Sequence, residues 1–126
     1  MSEEKPKPEE KPKYEPEWNL LKAIGNLLCA EEHLAEYTGA VEGEEKQAKG
    51  LEVLDDTRYV RQLLANQLGV KNDQIWCSVK HILAAWVNLL ELCAKRARAK
   101  REAPLEQTFA CSRLLVKVLE LAVEEK

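Results

Sequence analysis

The stretch QIWCSVKHILAAWVNLLELCAKRARAKR, Gln74 to Arg101, decides the fold. Ile75, Val79, Ile82, Leu83, Trp86, Leu89, Leu90, Cys93 and Ala97 recur at three- and four-residue intervals. That spacing lays one apolar stripe along a long α-helix. Trp76, Val87 and Leu92 widen the stripe beyond what one neighbour would cover. Five cations, Lys95, Arg96, Arg98, Lys100 and Arg101, close the stretch within seven residues. Cations there suit the negative end of the helix dipole.

Working outward, Pro104 opens a last helix that runs to about Glu124. Proline fits a first helical position, where its missing N–H costs nothing. This segment is apolar almost all round. Leu105, Phe109, Val116, Leu119 and Val123 form one face, and Cys111, Leu115, Val118 and Ala122 a second, with Leu114 and Leu121 nearly opposite. Such a helix is expected to be covered on several sides.

Upstream, Asn72 or Asp73 can cap the long helix. Gly69 suits the residue just past a preceding helix, Leu51 to Leu68. Val53, Thr57, Val60, Leu63 and Leu64 are expected to line its inner face. A first helix spans Trp18 to Tyr37, with Leu20, Ile24, Leu27, Leu28, Leu34 and Ala35 on its stripe and Leu21 at the stripe's edge. Gly39, Gly43 and Gly50 punctuate Thr38 to Gly50, which reads as a long connection or a short frayed helix.

The expectation is therefore an all-α, four-helix up-down bundle covering residues 18–126, dimerising through its last two helices. With 19 Leu and 14 Ala, and no lasting period-2 alternation, no strand is expected. The first 17 residues hold four of the five prolines, six acids and four lysines. They are expected to form a disordered, extended arm. A net charge of −3 excludes a uniformly basic nucleic-acid coat. No uncharged apolar run reaches the roughly 18 residues a membrane span needs. A cytoplasmic setting is expected, and the Glu- and Lys-rich composition resembles that of thermophile proteins.

The chemistry-bearing residues are few. Cys29, Cys77, Cys93 and Cys111 lack the paired spacing of a structural zinc site. Cys93 and Cys111 lie nine residues either side of the hairpin centre, at matching heights on antiparallel helices. They read as a disulfide or as two buried free thiols. Cys77 and His81 stand one turn apart, without a third group to complete a nucleophilic site. His33 and His81 both read as surface residues. Glu31 falls in the middle of the first helix's apolar stripe. A carboxylate there is expected either to find a partner, which Arg58 or Arg61 can supply, or to stand as a buried acid with a raised pKa. Neither a metal nor a cofactor is expected.

Trp76 to His81, with Glu31 to Leu34 upstream, loosely resembles small helical proteins of uncharacterised archaeal families, a resemblance that implies no activity. Size and all-α layout are also similar to HEPN-type helical domains. Their ribonuclease motif, an Arg followed four to six residues later by a His, is missing before His33 and His81. Glu42, Glu45, Glu52 and Asp55 resemble the paired acidic motifs of all-α nucleotide pyrophosphohydrolases but depart from them in spacing. No enzyme is expected. The function read from the sequence is a protein–protein interaction module, with Leu92, Leu114, Val118 and Leu121 as interface candidates. The alternative is a nucleic-acid-binding subunit acting through Lys95, Arg96, Arg98, Lys100 and Arg101.

Overall fold

The computed structural model describes residues 16–123. Residues 1–15 of the expected arm lie outside them. The chain is all-α. Four helices follow one another: α1 (Trp18–Ala40), α2 (Glu44–Ala65), α3 (Asp73–Arg98) and α4 (Leu105–Val123). A single 3-10 turn, Asn66–Leu68, extends α2, and Gly69 in the left-handed region ends it. Asn72 caps α3, its side chain accepting the Gln74 N–H at 3.1 Å.

The principal packing runs α2 on α1, α1 on α3, and α3 on α4. Leu21 and Ile24 of α1, Val79, Leu83, Trp86 and Val87 of α3, and Leu115, Val118, Leu119 and Ala122 of α4 form one core with Leu68. The stripe expected on the third helix is that core face, with Ala97 the one exposed exception. By length and composition, α3 is also the one helix among the described residues long and apolar enough to cross a membrane. Core helices pass the same test, and α3 buries Val79, Leu83, Ala84, Trp86 and Val87 against its neighbours.

The glycine-punctuated segment is the main departure from expectation. Thr38 to Gly50 is neither long loop nor frayed helix. Only Val41 to Gly43 separates α1 from α2. Gly43, at φ 103°, supplies the turn. Gly39 and Gly50 continue the helices instead. A Cβ on Gly50 would strike the Thr38 hydroxyl of α1, so this glycine serves close packing and not a turn. Gly25 does the same at the crossing of α1 and α3. A Cβ there would lie 2.5 Å from Val87 Cγ2 and 3.1 Å from the Leu83 carbonyl oxygen.

These small contacts also set the roll of α2. Gly50, Leu54, Arg61 and Ala65 face inward. Val53, Val60 and Leu63, expected inside, are exposed. The inner face is chosen by close approach and by an ion pair, which the hydropathy period does not report. The first helix rolls less. Leu21 and Gly25 join Ile24 at its centre, and Ala35 turns outward.

At the hairpin between α3 and α4, Lys100 stands at φ 55°. The Arg101 N–H reaches the Arg96 carbonyl at 2.8 Å and the Lys100 N–H the Ala97 carbonyl at 3.1 Å. The first of these bonds is the long one of a Schellman-type helix end. At the opposite end, the Lys71 and Asn72 N–H groups bond the Ala122 carbonyl, tying the α2–α3 loop to the end of α4.

Candidate functional site

Three places bear chemistry, and each is positioned by the helix pairings above.

The first is the Glu31 site. Its carboxylate is held by Arg61 through two parallel bonds from one guanidinium edge, Nε at 2.7 Å and Nη2 at 3.0 Å. Arg58 Nε adds a third bond at 3.3 Å. The side chains of Arg61 and Glu31 are only 8% and 11% exposed, so the fork–fork pair is largely desolvated. Both expected partners are therefore engaged, one on each side of an α2 turn. Lys80 and His81 of α3 come to the same cleft, of about 320 Å³. Sequence spacing did not place those two residues there, because their meeting with Arg61 depends on how α3 crosses α1. The residues lining this cleft include no serine, threonine or cysteine. The network's evident work is to fix α2 against α1.

The second place is the thiols. Cys93 and Cys111 do not form a disulfide; all four cysteines are free. The Cys93 thiol meets Thr108 Oγ1 at 3.3 Å, and the Cys111 thiol points to the Ile82 carbonyl at 4.0 Å. Equal spacing from the hairpin centre fails because Thr108, one turn before Cys111, occupies the seam position opposite Cys93. Cys29 sits against the Ala84 carbonyl and Asn88, and Cys77 is exposed, so these two do not face each other. No hydrogen bond joins Cys77 to His81 among the described residues. His33 and His81 are exposed.

Burial pushes the Cys29 thiol above its ordinary value, and the Glu32 and Glu91 carboxylates push it the same way. Burial alone raises Cys111. Both folded-state values lie above the unfolded ones. Their contribution to stability is therefore complete below the ordinary thiol value and disappears as pH rises through the folded one. Because the thiolate is the reactive form, mildly alkaline iodoacetamide should alkylate Cys77 first, with Cys29 and Cys111 lagging until denaturant equalises them. Time-resolved peptide mass spectrometry reads this order. Cys29 reacting as fast as Cys77 would contradict it.

The third place is the outer surface of α4 with the basic end of α3. Val118 is buried in the core, not at an interface. Its side chain lies on the stripe of Leu115, Leu119 and Ala122, which α3 covers. Leu92 is half-buried. Leu114 and Leu121 are 49% and 52% exposed, on the flank of α4 away from α1. Leu105 and Phe109 are exposed on the other flank. Lys95, Arg98, Lys100 and Arg101 are exposed and Arg96 is half-buried.

Among the described residues no group of three or more metal-ligating side chains gathers. Glu42, Glu45, Glu52 and Asp55 are all exposed. Comparison with protein-family models, with curated proteins and with solved structures finds no match.

Proposed function

We propose that the chain is a non-catalytic helical association module that pairs with a second copy of itself through the outer flank of α4. One observation carries this reading. Leu114 and Leu121, seven residues apart on one flank, stay half exposed because α4 has its principal packing on α3 alone. A seven-residue repeat of leucine is the spacing that keeps a seam facing a partner helix.

The flank is self-complementary. An antiparallel α4 pair about a two-fold axis near residues 117 and 118 sets Leu114 of one copy opposite Leu121 of the other. The same axis brings Arg113 to within two residues, about 3 Å along the helix, of Glu120 on the seam's edge, inside the reach of both side chains and twice over by symmetry. Neither Arg113 nor Glu120 forms an ion pair within the described chain. Lys117, exposed between the leucines, can lay its methylenes over the seam. Leu92 is not needed for this pairing.

The four leucines of such a seam are each worth about 1 kcal/mol, since each is half buried beforehand. Association is therefore modest and concentration-dependent. Four free thiols suit the reducing cytoplasm.

Charge reversal tests the register. Arg113→Glu places like charges across the axis and should shift the chain toward monomer in light scattering. Adding Glu120→Arg to it restores opposite signs and should restore the dimer. An Arg113→Glu chain as dimeric as the parent would reject this pairing.

A further inference from the structure

We propose that the hairpin end joining α3 to α4 binds single-stranded nucleic acid, its phosphates held by Lys95, Arg96, Arg98, Lys100 and Arg101 and its bases stacked on Phe109 and Trp18.

Four observations converge on that end. None of the five cations forms an ion pair among the described residues, although Glu102 and Glu106 follow closely in sequence. A chain of net charge −3 thus keeps an uncompensated positive knob at one end. Lys100 is also the only non-glycine residue at positive φ among the described residues, at the position where a Schellman end ordinarily has glycine. A side chain there strains the backbone, and what it adds in exchange is a fifth charge.

The aromatic platform, invisible along the cluster itself, comes from packing. The contact of the Cys93 thiol with Thr108 sets the last turns of α3 against the first turn of α4. Phe109, 60% exposed, follows Thr108 directly. Trp18, 39% exposed, faces it across an open groove of about 290 Å³ that Lys22 also lines. The Trp18 ring leans on Trp86 at 5.4 Å and 52°, which holds it in place. A largely apolar groove with exposed rings, next to a cationic helix end, is what a single strand requires, because unpaired bases stack on rings while phosphates meet cations.

The cations fan around the helix end and form no row along one face. A flexible strand can follow such a surface, whereas a duplex presents two fixed lines of phosphates. Stacking on two rings reads no base edge, so binding tolerates any sequence. The site lies on the flank of α4 opposite Leu114 and Leu121, so it stands apart from the proposed self-association.

Fluorescence anisotropy of the full chain with labelled oligo-dT and oligo-U of about 15 nucleotides tests the site. Five phosphate contacts predict affinity falling about 100-fold between about 50 and 200 mM salt. The triple change Arg96→Gln, Arg98→Gln, Arg101→Gln should abolish measurable binding. Phe109→Ala should weaken it about 5- to 150-fold while leaving the salt slope unchanged. Lys100→Gly should raise the melting temperature yet lower the salt slope by about 0.7, one phosphate contact. Leu121→Glu should leave affinity per chain unchanged, which separates this site from the dimer seam. Absence of binding at low salt, binding indifferent to the triple change in a chain of unaltered helicity, or binding to anionic phosphatidylserine vesicles without binding to strands would each overturn the proposal.

Discussion

Gly25→Ala is expected to lower the melting temperature by about 5–20 °C, the span of a loss of 1–3 kcal/mol in a domain of this size. On helix propensity alone the change would add about 1 kcal/mol, since alanine is the better helix former. Packing reverses the sign. The new methyl would meet Val87 Cγ2 at 2.5 Å and the Leu83 carbonyl oxygen at 3.1 Å. Val87 is a stiff β-branched residue, buried in the core, and cannot swing aside freely. The Leu83 carbonyl belongs to the α3 backbone and moves only with the helix. Gly25→Leu, with three more carbons at the same crossing, should leave no cooperative transition at all. Val87→Ala removes the nearest atom. Combined with Gly25→Ala it should cost less than the sum of the two single changes by at least about 0.5 kcal/mol. Thermal melts by circular dichroism measure all four chains. A Gly25→Ala chain more stable than the parent would show that α1 and α3 do not approach at this point.

Arg61→Ala is expected to cost about 3 kcal/mol, at the lower end for a broken buried pair. The change strips Glu31 of two of its three hydrogen bonds. Arg58 stays beside the carboxylate, but its side chain is half exposed and holds one bond at 3.3 Å, so it recovers part of the loss only. Arg61→Lys keeps the charge but loses the two-bonded grip, and should fall between parent and Arg61→Ala. Replacing both members, Glu31→Leu with Arg61→Met, should cost far less than Arg61→Ala, because no buried charge is left behind. Urea unfolding at constant pH gives these differences. An Arg61→Ala loss under about 0.5 kcal/mol would mean that the pair is solvated and does not hold α2 in place.

The two positions differ in how legible they were. Glu31 stands out in one dimension because a carboxylate in an apolar stripe demands a partner, and both candidate partners lay one helix away. Gly25 carries no such mark. Its role depends on a crossing between helices nearly sixty residues apart in sequence, and glycine inside a helical pattern reads only as a weak spot. Gly50 misled for the same reason, since three glycines within twelve residues look like a loop. Only Gly43 is at a turn.

Periodicity served α3 well because that helix is flanked by α1 and α4 and buries its stripe. It served α2 poorly, because α2 has its principal packing on α1 alone and meets it through a glycine, a leucine, an arginine and an alanine. On α4 the surplus of apolar residues was legible, but their division was not. Val118 faces the core while Leu114, four residues earlier, faces out, and the choice rests on the roll of α4 against α3. The basic cluster was plain in sequence. The rings beside it were not, because Trp18 and Phe109 come from opposite ends of the chain.

Sedimentation equilibrium of the parent chain and of Leu121→Glu, from low micromolar to near-millimolar concentration, tests the central claim most directly. Self-association through α4 predicts a reversible monomer–dimer equilibrium for the parent, and for Leu121→Glu a monomer of unchanged helicity. A parent that stays monomeric at every concentration, or a Leu121→Glu chain that dimerises as the parent does, would contradict it.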